Sequence, residues 1–263
     1  MAVSVVGKRR VLIRKELAEL AVFFFVILLP AISSSFHSLF LKQQGFDYAN
    51  LYSPWGFFNQ IQASIPLGLL AAFLLVYGDH DPSYLALRSS KLSVIRQIMA
   101  GVGLWFVYYL FFTLWDVVAA LAQIHVPHIN FHSATPLPQE TMLNGVFALV
   151  NGISEEVMRV YLLAQIGKLT TRRWAVILIT AILISSYHSY QGGFTLIAFL
   201  VANIFLSSFY LSSQSLLALC VWHILADFSH PTALMGWNVL SGFIGGSFII
   251  GTSWVFGHLG IKI

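Results

Sequence analysis

Eight stretches of this sequence stay apolar for about as long as a helix needs to cross a hydrocarbon core, roughly 20 residues for about 30 Å. They fall at approximately 17–35, 61–78, 97–122, 142–166, 174–191, 193–212, 214–229 and 233–257. The expected fold class is therefore all-α: a polytopic transmembrane helical bundle of about eight spans. Charge content agrees. Only 9% of the 263 residues are charged, against about 25% in a soluble domain. Little chain remains for a separate soluble module. Pro66 falls early in the second stretch and marks a candidate kink.

Lysine and arginine set the expected orientation. Lys8, Arg9, Arg10, Arg14 and Lys15 precede the first stretch, and Arg88, Lys91 and Arg96 lie between the second and third. Lys168, Arg172 and Arg173 lie between the fourth and fifth, and Lys262 follows the eighth. With eight crossings these segments share one side, and only Lys42 falls on the other. Cytoplasmic loops carry the positive excess, so both termini are expected in the cytoplasm and 36–60 and 123–141 outside. The first stretch is expected as a retained helix. Its apolar stretch is longer than the core of a cleavable signal peptide.

Some classes drop out. The net charge of +4 comes from basic residues beside the apolar stretches, so no nucleic-acid partner is expected. One cysteine, Cys220, excludes an intrachain disulfide and a cysteine-rich metal site. His125, His128 and His132 sit among Pro127, Pro136 and Pro138 and read as a solvated loop.

Certain charges stay inside the apolar stretches. Glu155, Glu156 and Arg159 are in the fourth, His188 in the fifth, and His223 and Asp227 in the seventh. Asp116 lies near the outer end of the third and reads as an interfacial carboxylate. A charge at membrane depth costs about 2.5–3.5 kcal/mol on insertion scales, and such residues mark function by default. Glu155 and Arg159 are spaced i, i+4, and Glu156 and Arg159 i, i+3. One carboxylate is thereby neutralised and the other left for chemistry, and the spacing leaves open which. His223 and Asp227 also share a face. At about 1.5 Å per residue, Glu155 lies roughly 16 Å from the cytoplasmic end of its helix, His223 about 14 Å and His188 about 21 Å. Three helices thus bring polar groups to a similar depth.

A carboxylate and two histidines in a protein-lined cavity suit water activation. The carboxylate takes a proton from water and one histidine shares it. The other histidine, with Asp227, polarises a carbonyl and stabilises the developing oxyanion. The same side chains are also common zinc ligands, with His188, His223 and Glu155 as the candidates. The His-Glu-x-x-His helix of many zinc proteases is absent. The residues point to a hydrolase using activated water on peptide bonds. A transporter would show broken spans in symmetric halves, and no such symmetry is present.

The same residues resemble the CPBP intramembrane proteases, which include the CAAX prenyl endopeptidases and the bacterial Abi proteins. That family is marked by Glu-Glu-x-x-x-Arg, Phe-x-x-x-His and His-x-x-x-Asn/Asp helices in this order. Here the motifs are Glu155-Glu156-Val157-Met158-Arg159, Ile184-Ser185-Ser186-Tyr187-His188 and His223-Ile224-Leu225-Ala226-Asp227. The arginine comes one residue early, which rotates it by about 100°, and Ile184 replaces the aromatic. The resemblance implies an intramembrane endopeptidase with Glu155 as base, helped by His188. It places His223 and Asp227 on the oxyanion side, with Glu156 and Arg159 supporting. It implies either a glutamate-type or a metal-dependent enzyme; no cofactor is certain, and a divalent metal such as zinc is the candidate. The alternative is a non-catalytic membrane protein of the same fold, a bacteriocin-immunity or regulatory partner. The chain then divides into N-terminal helices and loops at 1–139, a CPBP/Abi-like core at 140–230 and a C-terminal helix at 231–263. Its expected partners are membrane lipids and a peptide or membrane-protein substrate, and its expected place is the bacterial inner membrane.

Overall fold

Helix is what the apolar stretches form. The structure, a computed structural model, describes residues 15–43, 54–77, 92–123 and 138–229. Its helices are α1 (15–23), α2 (Leu29–Gln43), α3 (Pro54–Tyr77), α4 (Val94–Leu121), α5 (Pro138–Leu169), α6 (Arg173–Ser186), α7 (Gly193–Ser213) and α8 (Leu216–Ser229). No strand occurs among the described residues. The expected span at 233–257, the loop with His125, His128 and His132, and the Asp116 side chain lie outside the described set.

Length and composition separate the helices into classes. Among the described residues, four segments are long and apolar enough to cross a membrane: Lys15–Ser38, Phe58–Tyr77, Val94–Ala119 and Gly193–Ser213. The chain is an integral membrane protein. α6 and α8 are apolar but only 14 residues each, about 21 Å long. α5 has 32 residues, about 48 Å, and carries Glu155, Glu156 and Arg159 within it.

The chain forms two compact units. The first consists of Met1–Gly45 with Tyr161–Ser207. Between α1 and α2 the helix widens into a π-turn at Phe24–Leu28, where Leu29 N–H reaches Phe24 C=O. Pro30 explains the position: it has no N–H to donate to the carbonyl four residues back, and the wider turn re-routes the neighbouring bonds. Gln165 of α5 donates to the Glu16 carbonyl and carboxylate at 2.8 and 2.7 Å, and Lys168 adds an ion pair at 3.2 Å. Phe23 packs on Tyr161 one turn above.

In the same unit α6 ends earlier than hydropathy suggests. The expected helix ran to 191, but α6 stops at Ser186. His188 N–H then bonds Ser185 C=O and Gly192 N–H bonds Ser189 C=O, the tighter i→i+3 pattern. Ser35 of α2 bonds the Ser189 hydroxyl and accepts from Tyr190 N–H, both at 2.9 Å. Gly192 then takes φ 105°, open to glycine at little cost, and α7 begins.

The second unit consists of Phe46–Val160 with Ser208–Ile263. Small residues set its helix crossings, as expected where helices pack closely in lipid. A Cβ on Gly101 of α4 would lie 2.6 Å from the Ala218 carbonyl of α8. A Cβ on Gly152 of α5 would lie 2.9 Å from the Ile224 nitrogen of α8. α8 is also fixed at its start. The Ser215 hydroxyl accepts from Ala218 N–H at 3.2 Å, an N-cap bond, and donates to Gln97 Oε1 of α4 at 2.8 Å. Gln97 in turn donates to Leu92 C=O. At the other end of α8, Asn144 of α5 donates to Phe228 C=O at 3.1 Å. Tyr108 meets Trp222 edge-on. α8 is therefore held at both ends against α4 and α5, which fixes the His223 and Asp227 that it carries.

Candidate active site

α5 and α8 face each other in the second unit, and their charged residues meet. Arg159 Nε donates to Glu156 Oε2 at 2.6 Å, and Nη2 donates to Oε1 at 3.2 Å. The planar guanidinium grips both oxygens, the geometry for which arginine is suited. Glu156 is the carboxylate that Arg159 neutralises. Its side chain is completely buried and that of Arg159 nearly so, at 0% and 2% exposure.

Glu156 holds α8 as well. His223 Nδ1 lies 2.7 Å from Glu156 Oε1. An ionised carboxylate offers only acceptors, so Nδ1 carries the proton and donates it to this bond. That fixes the ring. Nε2 is directed at Glu155 Oε2, 3.8 Å away, and at Asp227 Oδ2, 3.7 Å away. These are longer than a direct hydrogen bond and match polar contacts that a water bridges. His223 also packs on Trp222. The His223–Asp227 pairing open to the sequence is thus the longer contact, and the short bond goes to Glu156.

Glu155 and Asp227 differ from Glu156 in access. Their side chains keep 11% and 22% exposure. One acidic group is sealed, and two stand beside Nε2 of the imidazole.

Two residues that charge counting passed over complete the network. Asn151 Nδ2 donates to Asp227 Oδ2 at 2.9 Å, and Ser64 Oγ of α3 donates to Asn151 Oδ1 at 2.9 Å. Asn151 lies four residues before Glu155, on the same helix face. That spacing was the available signal, but neutral polar residues do not register in a search for charges.

His188 belongs to the first unit, in the turn after α6 rather than within a helix. Its ring stacks on Phe199 of α7, with centroids 4.5 Å apart and planes 4° from parallel. Tyr187 packs beside it. Ser185, three residues earlier, accepts from Asn203 of α7 at 3.0 Å.

Among the described residues, no group of three or more His, Cys, Asp or Glu side chains has the spacing of a metal site. The chemistry below assigns no step to a metal.

Residues 138–229 match the family model of the type II CAAX prenyl endopeptidases, Rce1-like. Over this segment, about a third of the chain, the sequence is similar to that family. The matched segment runs from the first residue of α5 to the last of α8. It contains Glu155, Glu156, Arg159, His188, His223 and Asp227, while Ser64 lies outside it. The family that this segment resembles is one of endopeptidases. No curated protein and no solved structure matches the chain.

Proposed function

We propose that the chain is an intramembrane endopeptidase that hydrolyses peptide bonds with a water activated by Glu155. The observation that carries this reading is the arrangement around His223: Glu156 holds one ring nitrogen, and the other faces Glu155 and Asp227 at 3.8 and 3.7 Å. Glu155 takes a proton from water, and the water oxygen attacks the scissile carbonyl carbon. The carbonyl electron pair moves onto oxygen, where the His223 and Asp227 side of the site stabilises it. The tetrahedral centre collapses, the C–N bond breaks, and Glu155 returns the proton to the leaving amine. Peptide and water thus become acid and amine. Glu156 and Arg159 orient His223. The family resemblance gives His188 a part in the water's deprotonation, and His188→Ala reads that part directly.

The wider reading is an eight-span protein of the bacterial inner membrane with both termini cytoplasmic, argued from the lysine and arginine distribution. The CAAX-like chemistry leaves the substrate sequence to experiment. Purified protein incubated with a peptide library is expected to cleave a subset. Glu155→Gln keeps the shape and removes the base, so turnover is expected to fall at least about 10²-fold, the low end of general-base contributions. Cleavage that survives a chelator supports direct glutamate catalysis, while loss that zinc restores supports a metal enzyme. A folded parent that cleaves nothing supports the non-catalytic, regulatory reading.

A further inference from the structure

Oxyanion stabilisation requires hydrogen-bond donors aimed at the developing charge. Asp227 is poorly equipped for that. An ionised carboxylate is acceptor-only, and a carboxylic acid offers a single O–H. Its Oδ2 accepts from Asn151. The neutral amide beside it has the missing property. Asn151 Nδ2 carries two hydrogens; one goes to Asp227 Oδ2, and the second is a donor that needs no titration to exist. The amide is also aimed. Ser64 donates to Oδ1 while Nδ2 meets Asp227. Flipping the amide would set its oxygen against the Asp227 carboxylate, so Asp227 enforces the orientation, while the Ser64 hydroxyl, able to donate or accept, holds the other end. Position agrees with chemistry. Asn151 is half-buried and one helical turn from Glu155, and Asp227 Oδ2 is the oxygen that His223 Nε2 faces at 3.7 Å. Nitrogens from α5 and α8 thus approach the same Asp227 oxygen, and the one from α8 also lies 3.8 Å from Glu155 Oε2.

We propose that Asn151 is the neutral donor that binds the oxyanion during peptide hydrolysis, and that Asp227 and Ser64 are positioning residues that aim its amide. This inference rests on the peptidase reading and deepens it. It moves the donor role from Asp227 to a residue one turn before Glu155. No covalent change occurs at Asn151: its N–H bond to the carbonyl oxygen strengthens as charge develops and relaxes when the C–N bond breaks.

The experiment compares steady-state cleavage of one library-derived peptide by the full-length parent and by Asn151→Ala, Asn151→Asp and Ser64→Ala in detergent. Thermal unfolding is recorded for each. Asn151→Ala is expected to lower kcat by about 10²–10³-fold, the range for removal of one oxyanion donor, with KM changed less than about threefold. Asn151→Asp keeps the shape but loses the amide donors, and is expected to be at least as slow. It carries the test if the alanine variant does not fold. Ser64→Ala leaves the donor in place and only releases its aim, so a smaller loss, confined to kcat, is expected. Folded Asn151 variants with kcat within about threefold of the parent overturn the proposal and return the donor role to Asp227. A loss that appears in KM alone overturns it in favour of ground-state binding. Parent protein that cleaves while Glu155→Gln cleaves equally well refutes the base assignment without touching Asn151. Parent protein that cleaves no peptide overturns both readings.

Discussion

Removing Arg159 should separate the stability of the site from its activity. Glu156 is at 0% exposure, and its two oxygens are held by the guanidinium at 2.6 and 3.2 Å. In Arg159→Leu the carboxylate stays buried with one remaining donor, His223 Nδ1 at 2.7 Å. Breaking a buried pair by deleting one partner costs about 3–5 kcal/mol, because the other charge is left uncompensated. At about 2–4 °C per kcal/mol for a chain of this size class, the midpoint should fall by roughly 6–20 °C. The double variant Arg159→Leu/Glu156→Leu removes both charges, and such replacements are often neutral or stabilising. It should recover most of the lost stability. It should not recover peptide cleavage, because nothing then fixes the His223 tautomer or ring direction. Arg159→Lys falls between: it keeps the charge but replaces the two-point fork by one ammonium. Thermal unfolding in detergent, with cleavage measured on the same samples, reads both quantities. An Arg159→Leu protein within about 1 kcal/mol of the parent would refute the claim that this arginine keeps Glu156 buried. A double variant as unstable as the single one would shift the explanation from charge to lost packing.

Gly152→Ala should slow cleavage through geometry alone: the new Cβ would lie 2.9 Å from the Ile224 nitrogen and 3.3 Å from the His223 carbonyl carbon, so α8 must move by about half an ångström. Overpacking of this kind costs about 1–3 kcal/mol, and displaced catalytic groups lose rate steeply, so a drop of roughly tenfold or more in kcat is expected, and parent-like kinetics would show that α8 yields elsewhere. Reporter fusions at Arg88 and Arg173 should report the cytoplasm and fusions at Gln43 and Pro136 the outside; a cytoplasmic signal at Pro136 would remove the eight-span proposal.

The long apolar helices were legible because lipid imposes one length and one composition. Lys15–Ser38 and Gly193–Ser213 are recognisable from that constraint alone. The helix end before His188 was not. Hydropathy continues across 187–191, whereas the turn there is made by Ser35, Ser185, Ser189 and Gly192, whose hydrogen bonds and backbone angle leave no mark on an apolar average. Depths counted from the apolar limits shift for the same reason. α5 runs on to Leu169 and α8 starts only at Leu216, so one distance from the helix end lengthens while the other shortens. The approach of Glu155 to His223 within 3.8 Å is a tertiary fact that helix ends do not determine. The pairing of Arg159 was undecidable for a related reason. Both i+3 and i+4 neighbours were available along α5, and the choice is made with a third party, the His223 imidazole arriving from α8.

That third party also gives the early arginine a physical reading. On an α-helix the positions three and four residues beyond Glu156 are both its neighbours. Moving the arginine from the later position to Arg159 therefore exchanges one neighbour of Glu156 for another and leaves the ion pair intact, as the 2.6 Å contact shows. The same move places Arg159 four residues from Glu155, where it was equally free to pair by spacing. Glu156 holds the fork because it offers both oxygens to Arg159 while Oε1 also receives His223 Nδ1, and charge-assisted hydrogen bonds are the strong ones in a buried network. Glu155, nearly buried but not sealed, is left facing the other imidazole nitrogen. The departure from the family spacing thus falls on the one residue whose job, neutralising Glu156, can be done from either position.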